Sequence, residues 1–344
     1  MSDFDSGIPS RLKSYREKVS DSLESYLGSK KGKTYDMVNY HLGFNGEGSD
    51  GNLQGKAIRS SLALYATEAL GGDPNEALPA ALSLELIHNF SLVHDDIQDD
   101  DRTRRGRPTV QYKWSPDQAI NAGDALKDLS LLVMLDLSRD GESGKTLEAL
   151  AALSEYSLRM IQGQVMDLDY MERRDVDIDS YLEMISAKTC ALLEGAFHLG
   201  GIYSSAGEDE LEKLISFGRY LGYVYQIRDD WLGIWGQPEE SGKSALSDIE
   251  EKKRSFPVVY ALQGGHGEEL TRLKELYYSE GKLGEDKIEE VKEILEEIDA
   301  SKKTNEWAEK YWNHAVRELH ETGMADWAKT ELKEFGSFLL TRKQ

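Results

Sequence analysis

Two clusters of aspartates, each directly following a largely apolar stretch, constrain the fold of this chain most strongly. The first occupies positions 95–101 and follows residues 82–87, and the second, Asp229-Asp230, follows residues 220–225. A half-buried helix that ends in several carboxylates is costly unless another charge offsets them. Asp95 and Asp99 are four residues apart, so they share one helix face and can bind the same divalent ion. Two such faces opposite each other would form a site for magnesium and a diphosphate.

The overall charge and the single cysteine exclude several classes of protein. The formal net charge of the chain is −22 and its pI is near 4.8, which argues against a non-specific nucleic-acid binder and against a basic membrane-surface protein. A chain this acidic that binds a polyanion must concentrate Lys and Arg locally or use metal ions. Cys190 is the only cysteine, so an internal disulfide and a cysteine-based zinc site are both excluded.

The sequence gives no indication of contact with a membrane. Residues 1–5 are polar and acidic and contain no apolar signal region. No apolar run approaches the roughly 20 residues that a helix needs to span a bilayer. We therefore expect a cytoplasmic protein with no stable membrane insertion and no nucleic-acid partner.

Helical periodicity dominates the chain, and only 7 of its 344 residues are prolines. The pattern predicts an all-α fold with a single large helical domain. We expect N-terminal helices and a loop in 1–50, a catalytic core in 51–263 and acidic C-terminal helices in 264–344. Helices are predicted at about 57–70, 146–172, 179–203, 208–235 and 246–263, with one starting at Pro74 and a separate one carrying the first aspartate cluster. Loops are predicted at 44–55 and 106–116.

The helix before the first cluster carries a polar stripe. Leu84, His88, Ser91, Asp95 and Asp99 fall within a narrow sector at about 100° per residue. A histidine, a small hydroxyl and two carboxylates would therefore line one face. Taken alone, the cluster fits equally well with an exposed acidic helix end beside an ordinary, partly buried histidine.

Cationic residues near these clusters favour a site that binds phosphate. Arg104 and Arg105 follow the first aspartates, where they could neutralise the cluster or clamp a phosphate. Lys56 and Arg59 lie at the start of a helix that follows a Gly-rich loop, a position suited to an anion. Lys188 is flanked by apolar residues, although a lysine whose amine reaches solvent would fit the same pattern.

Together these motifs resemble the trans-isoprenyl diphosphate synthases, also called the polyprenyl synthetase family, and in particular its archaeal-type geranylgeranyl and farnesyl diphosphate synthases. The resemblance extends from about residue 40 to 262, with a weaker match near Arg342. Its most specific part is Asp95-Asp96-x-x-Asp99 with Arg104-Arg105 at fixed spacing. Four further motifs follow the family's order: Gly55-Lys56-x-x-Arg59, Lys188-Thr189, Gln226-x-x-Asp229-Asp230 and Gly242-Lys243…Asp248…Lys253.

The resemblance implies a single large helical bundle around a central cavity, and a prenyltransferase that joins isopentenyl diphosphate head to tail to an allylic diphosphate. It implies roles for residues that match the family motifs, with Asp96, Asp230 and Lys253 counted among the catalytic group. Three Mg²⁺ ions, or Mn²⁺ in their place, would be bound by Asp95, Asp99 and Asp229. The allylic diphosphate would be neutralised by Arg104, Lys188 and Lys243. Isopentenyl diphosphate would be bound by Lys56, Arg59, His88 and Arg105, and the path of the allylic cation would be lined by Thr189 and Gln226. The resemblance also implies a homodimer.

The product length is expected to depend on Phe90 and Ser91, which directly precede the first motif. By resemblance these residues form the floor of the pocket that receives the growing chain. The small Ser91 leaves depth and the bulky Phe90 limits it, which favours the C20 product geranylgeranyl diphosphate. A C15 or a longer product is the near alternative.

Some positions depart from the family pattern, and two other functions stay open. Gly233 stands where many members carry a third aspartate, Ala57 replaces a frequent arginine and Ser60 replaces a frequent proline. A class I terpene cyclase would share the helical bundle, but Asp229-Asp230 and the cationic residues for isopentenyl diphosphate disfavour it. A non-catalytic subunit of a heteromeric synthase would be expected to lose the first aspartate motif, which is intact here.

Overall fold

The structure, a computed structural model, describes residues 7–46, 48–49, 51–138, 143–236 and 246–342. Helices dominate these ranges, as the periodicity predicts. In chain order the helices are α1 (Ser10–Gly28), α2 (Lys33–Leu42), α3 (Ile58–Ala69), α4 (Pro74–Gln98), α5 (Val110–Lys113), α6 (Pro116–Leu137), α7 (Ser143–Glu172), α8 (Ile178–Ile185), α9 (Ala191–Ile202), α10 (Glu208–Trp235), α11 (Ser247–Glu250), α12 (Phe256–Gly264), α13 (Gly267–Tyr277), α14 (Glu285–Glu297), α15 (Ala300–Glu321) and α16 (Asp326–Thr341).

The starts of several helices follow from capping residues in the sequence. Asp73 accepts a hydrogen bond from the backbone N–H of Asn75 at the start of α4. Ser115 does the same for Gln118 at the start of α6, and Asp177 for Ser180 at the start of α8. Such caps satisfy backbone donors that have no partner within the helix.

The first aspartate cluster lies at the end of one continuous helix of 25 residues, and the separate helices predicted for this segment are wrong. Pro79 falls in the second turn of α4, where it removes one backbone hydrogen bond without ending the helix. Pro79 is itself buried. Burial of most of α4 offsets the local cost of this proline, and propensity alone could not show that.

The segment after the second cluster also differs from the prediction. The single helix expected over 246–263 is divided into α11 and α12, and Lys252 lies between them with a φ of 58°. This left-handed conformation cannot continue a helix of L-residues. The loop expected at 106–116 contains the short helix α5 and the second strand of a small hairpin, in which β1 (Thr103–Arg104) pairs with β2 (Arg107–Pro108).

The interior is built around two long helices that carry the aspartate clusters. α4 packs against α3 and α6, and α10 packs against α9 and α15. The main hydrophobic core surrounds α4, α9 and the first half of α10, and a second core joins the end of α10 to helices α11–α14. Lys253 connects the ends of these two helices, because it contacts Asp99 of the first cluster and lines one cavity together with Asp230 of the second. The division of the chain at residues 50 and 263 into N-terminal helices, a catalytic core and C-terminal helices stays a prediction.

Within the described ranges, every helix is too short or too polar to cross a bilayer.

Candidate active site

A cavity of about 390 Å³ opens beside the C-terminal half of α4. Three members of the predicted polar stripe, His88, Ser91 and Asp95, line it. The other two do not share it, because Leu84 is buried in the core and Asp99 faces Lys253. The cavity combines a polar region near Asp95 with apolar walls from α7 and α9. The lining residues are Arg59, His88, Phe90, Ser91, Leu92, His94, Asp95, Gln98, Asp124, Lys127, Met160, Ile161, Gln164, Val165, Leu168, Lys188, Thr189 and Leu192.

Asp95 and Asp99 each contact a group from another element at the end of α4. Asp95 accepts a hydrogen bond from Gln164 Nε2 at 2.9 Å, and its carboxylate lies 3.6 Å from Lys188 Nζ. Asp99 accepts from Lys253 Nζ at 2.8 Å. Burial raises the pKa of Asp99, and the nearby Lys253 opposes that effect. Both carboxylates therefore lie where a bound cation would compete with a lysine.

Asp96 lies on another face of α4, and its side chain is only 2% exposed. It accepts a hydrogen bond from Arg104 Nε at 2.6 Å. Burial raises its pKa to about 6, although Arg104 acts in the opposite direction. Arg104 also lies 3.9 Å from Asp95 and 3.7 Å from Asp101. Asp96 thus holds Arg104 beside Asp95.

Lys188 and Thr189 lie in a π-helical turn, Ser186–Cys190, between α8 and α9. Such turns re-aim side chains and are frequent at functional sites. The backbone N–H of Lys188 lies directly against Gly163 of α7, and any Cβ at that position would collide with it. This close approach places Lys188 Nζ 2.5 Å from Asp167 and between α4 and α7. Thr189 donates to Gln226 Oε1 at 2.6 Å.

The two aspartates of the second cluster have different surroundings. Asp230 is buried and accepts hydrogen bonds from Gln226 Nε2 at 2.8 Å, from Tyr181 Oη at 2.7 Å and from the Phe256 backbone N–H at 2.7 Å. Burial raises its pKa to about 7. Asp229 is more exposed and forms an ion pair with Arg342. Asp230 therefore links α8, α10 and α12, while Asp229 presents its carboxylate beside the C-terminal segment.

Arg342 is packed against the second aspartate cluster. From the sequence alone, a solvated C-terminal tail fits this position equally well. The side chain is 3% exposed and its guanidinium lies 4.8 Å from the ring centre of Tyr225. Its backbone carbonyl accepts from Arg228 Nη2 at 2.6 Å. The ion pair with Asp229 thus belongs to a packed cluster. Lys243 lies outside the described residues.

A group of basic side chains lies near the N-terminus of α3 and consists of Arg59, His88 and Arg105. Arg59 Nη1 lies 3.3 Å from His88 Nε2. Burial lowers the pKa of His88 well below its usual value, and the charges of Arg59 and Arg105 act in the same direction. Lys56 lies two residues before this helix and is half-buried. A neutral His88 can donate one hydrogen bond without adding charge.

The hairpin fixes the position of Arg105. Arg105 and Gly106 both have positive φ angles, 53° and 72°, which a two-residue turn of this kind requires. The Arg105 guanidinium donates to the Gln54 carbonyl and occupies the space beside Gly55. Burial lowers its pKa to about 10, so it stays charged at neutral pH.

A second cavity of about 170 Å³ lies between α8, α10 and the segment after α11. It shares Lys188 and Thr189 with the first cavity and receives carboxylates from three elements. Its lining consists of Asp167, Tyr181, Met184, Ile185, Lys188, Thr189, Gln226, Asp230, Asp248, Lys253, Arg254 and Ser255. The two cavities therefore meet at the π-helical turn.

The architecture around these cavities matches known proteins along nearly the whole chain. The family model for polyprenyl synthetase matches residues 49–298. The chain belongs to the polyprenyl synthetase family. Members of this family are prenyltransferases, and they use divalent metal ions with isopentenyl and allylic diphosphates as substrates. The predictions of the family and of the all-α fold are both confirmed.

Relatives of this polyprenyl synthetase differ in their products. A (2E,6E)-farnesyl diphosphate synthase of Mycobacterium tuberculosis is 36% identical over 89% of this chain and 86% of its own length. A geranylgeranyl diphosphate synthase of Saccharolobus solfataricus is 34% identical over 91% of each chain. A crystal structure of a geranylgeranyl pyrophosphate synthase aligns with a TM-score of 0.87 and 31% identity, covering 97% of this chain and 99% of the other.

The donor groups of the polyprenyl synthetase site suit a divalent cation only in part. Carboxylate oxygens, as in Asp95 and Asp99, are the ligands that Mg²⁺ prefers. In the part of the chain that the structure describes, however, no three His, Cys, Asp or Glu side chains are grouped to hold a metal ion. The carboxylates fit a cation that receives its remaining oxygens from a diphosphate and water.

Several side chains at the site were missed by the sequence reasoning. In α7, Gln164 donates to Asp95, and Asp167 accepts from Lys188. The sequence pattern that could have indicated them is their spacing with Gly163 on one helix. His41 lines a small cavity with Arg105, and its buried Nε2 has no hydrogen-bond partner among the described residues. The sequence pattern around His41 is less specific, because a single histidine at the end of a short helix is common.

Proposed function

We propose that this protein is a geranylgeranyl diphosphate synthase, which condenses isopentenyl diphosphate head to tail with an allylic diphosphate to give mainly a C20 product. The observation that carries the proposal is the junction of two cavities at Lys188. One has apolar walls, with Phe90 in its lining and a polar region near Asp95, and the other is charged and is lined by aspartates and lysines. An apolar chain and its diphosphate head need these two environments side by side.

The first step breaks the bond between the allylic carbon and its diphosphate. We expect Lys188, Arg104 and Lys253 to stabilise the negative charge that develops on the leaving diphosphate. The same role is proposed for Lys243. Mg²⁺ ions, three by resemblance, would add electrostatic stabilisation of that charge when held by Asp95, Asp99 and Asp229. Asp96 and Asp230, both buried, would act by positioning Arg104 and Gln226.

The second substrate requires a separate cationic pocket. Lys56, Arg59 and Arg105 supply positive charge for the diphosphate of isopentenyl diphosphate, and a neutral His88 can donate a hydrogen bond to it. Arg59 and His88 also line the apolar cavity, so this pocket lies close to the allylic site. The double bond of isopentenyl diphosphate would thereby face the allylic carbon.

The allylic cation must be kept from water until the new bond forms. Apolar walls from Met160, Ile161 and Leu192 exclude water from the cavity. The oxygens of Thr189 and Gln226, which are hydrogen-bonded to each other, lie along its proposed path. The departed diphosphate is the base we propose for the final proton.

A homodimer is supported by an apolar surface on α6 and α7. Ile120, Leu131 and Leu135 recur on one face of α6, and Leu147, Leu158 and Val165 recur on one face of α7. These six side chains are between 39% and 65% exposed. Exposed apolar surface of this kind marks interaction sites. We propose that a second copy of this chain covers it.

The proposed reaction predicts a Mg²⁺-dependent C20 product. The purified protein would be incubated with isopentenyl diphosphate and, separately, with dimethylallyl, geranyl or farnesyl diphosphate, with Mg²⁺ or with chelator. The products would be identified by mass spectrometry after dephosphorylation.

Asp95→Asn should lower kcat by at least about 100-fold, because the substitution removes a carboxylate charge proposed to hold the cations that stabilise the leaving diphosphate. Asp286→Asn, an exposed carboxylate outside the site, should leave kcat unchanged.

Other outcomes of this assay would contradict the proposal in distinct ways. A cyclic hydrocarbon from a single allylic substrate would indicate a class I terpene cyclase. The absence of product from every allylic substrate would favour a non-catalytic subunit. A Mg²⁺-dependent C15 product would keep the reaction but overturn the proposed chain length.

Phe90 and Ser91 should set the product length. Both line the apolar cavity, and the Phe90 ring is nearly buried and packs edge-on against His94. We expect Phe90→Ala to shift the products beyond C20, because it deepens the cavity. We expect Ser91→Phe to shift them to C15, because it makes the cavity shallower. Phe44→Ala, which truncates a ring outside this cavity, should leave chain length unchanged. Unaltered chromatograms for both cavity variants would contradict this role.

The dimer predicts a mass of about twice the 38.7 kDa of one chain in sedimentation equilibrium. Leu135→Asp with Leu158→Asp should shift the protein towards monomer, because two charges would then be buried in an apolar contact. Wild-type protein that sediments as a monomer at micromolar concentration would refute the proposed interface.

A further inference from the structure

A buried carboxylate lies one helical turn after the π-helical turn that carries Lys188. It belongs to Glu194 of α9, whose side chain is only 1% exposed. Arg159 of α7 donates two hydrogen bonds to it, from Nη1 to Oε2 at 2.8 Å and from Nη2 to Oε1 at 3.1 Å. Arg219 of α10 donates from Nε to Oε1 at 3.0 Å. These three residues, the Glu194 triad, therefore link α9 to α7 and α10.

The Glu194 triad is a costly way to join three helices. Taking a carboxylate out of water carries a desolvation penalty, and well-packed apolar side chains often stabilise such a contact equally well. Charged hydrogen bonds differ from apolar packing in one respect, because two parallel bonds between an arginine and a carboxylate fix their relative position. Apolar burial has no preferred direction. The triad is therefore better suited to fixing a register between helices than to stabilising the bundle.

Arg159 also contacts the π-helical turn itself. Its Nη2 donates to the backbone carbonyl of Ser186, the first residue of the turn, at 3.4 Å. Arg159 precedes Gly163 by four residues, so both lie on the same face of α7. Gly163 is the position against which the Lys188 backbone packs. One face of α7 thus holds the turn at its first residue and at its middle residue.

α10 holds the other end of the turn. Cys190, the last residue of the turn, packs against Gly222, where any Cβ would lie 2.7 Å from the Cys190 Sγ. Gly222 follows Arg219 by three residues and so lies beside it on the same face of α10. The triad therefore places one arginine next to each glycine that the turn contacts.

The register of the turn decides where Lys188 points. A π-helical turn has i→i+5 hydrogen bonds and so contains one residue more than a turn of α-helix. Successive side chains of an α-helix differ by about 100°, so loss of the extra residue would rotate Lys188 by about that angle relative to α9. The Lys188 Nζ would then leave Asp167, now at 2.5 Å, and Asp95, now at 3.6 Å.

We propose that Arg159 and Glu194 are positioning residues for Lys188. By fixing the register of α9 against α7 and α10, they keep the turn π-helical and hold the Lys188 amine beside the first aspartate cluster. The inference rests on the proposed function, because the amine is proposed to stabilise the leaving allylic diphosphate. Neither Arg159 nor Glu194 lines the apolar or the charged cavity, so their effect on catalysis must pass through the turn.

A double-mutant cycle between positions 159 and 188 tests this role. Arg159→Met should lower the single-turnover rate with geranyl diphosphate by about 10- to 100-fold, because a displacement of about 1 Å caused far from the reacting atoms can cost that much. The KM for isopentenyl diphosphate should stay unchanged, because its proposed pocket at α3 is untouched. Lys188→Met removes the amine itself, so adding Arg159→Met to it should cause no further loss of rate.

Arg272→Met is the matched control for this cycle. Arg272 also donates two hydrogen bonds to one carboxylate, that of Glu290, but both residues lie on the surface of α13 and α14. The control should therefore leave the single-turnover rate unchanged. A full further loss of rate when Arg159→Met is added to Lys188→Met would show that Arg159 acts independently of the amine and would overturn the inference.

An apolar version of the triad separates position from stability. Arg159→Met, Glu194→Leu and Arg219→Met together leave no buried charge, so this triple variant should melt at a higher temperature than Arg159→Met alone. Its single-turnover rate should nevertheless stay as low as that of Arg159→Met, because apolar packing does not fix the register. A rate that returns to the wild-type value together with the melting temperature would show that the triad serves stability alone.

The wild-type protein, assayed in parallel, keeps this inference distinct from the proposed function. If it elongates allylic diphosphates and Arg159→Met does so at the same rate, only the role of the Glu194 triad is refuted. If the wild type forms no prenyl product from any starter, the proposed function itself is refuted.

Discussion

The carboxylates at the ends of α4 and α10 must be offset by positive charge, and the rest of the site depends on this balance. Asp95 and Asp99 face Lys188 and Lys253, and Asp229 faces Arg342. Each cation comes from a different element of the bundle. The charge balance therefore fixes how α4, the π-helical turn, the segment after α11 and the C-terminal segment meet. Half-buried carboxylates without these partners would destabilise the bundle.

Local backbone geometry delivers these cations. The absence of a side chain at Gly163 lets the turn that carries Lys188 approach α7. The positive φ angles of Arg105 and Gly106 direct the Arg105 guanidinium onto the loop that leads into α3. Backbone irregularities that persist in a packed bundle concentrate at functional sites, where they orient groups that regular helices could not. Here both irregularities place cations where two substrate diphosphates are proposed to bind.

The sequence was sufficient for two features: motif order predicted the family, and helical periodicity predicted the all-α fold. The sequence also placed Asp95 and Asp99 on one helix face, but only Asp95 lines the main cavity, and Asp99 contacts Lys253. The sequence could not show the continuity of α4 through Pro79, because burial of the whole helix decides that. Nor could it separate Asp229 from the buried Asp230. Those features depend on which distant elements meet, and adjacent aspartates look alike in a sequence.

We propose that the aspartates of α4 and α10 bind divalent cations together with a diphosphate, since no three His, Cys, Asp or Glu side chains in the described ranges are grouped to hold a metal ion. A Mn²⁺ titration of the wild-type protein, with and without a non-reacting thiolo analogue of geranyl diphosphate, tests this coupling. Coupling between two ligands is reciprocal. The analogue should therefore tighten Mn²⁺ binding by at least about tenfold, a coupling of about 1.4 kcal/mol, and Mn²⁺ should tighten binding of the analogue equally. Identical Mn²⁺ affinity with and without the analogue would show that the cations and the diphosphate bind independently, which contradicts a shared site.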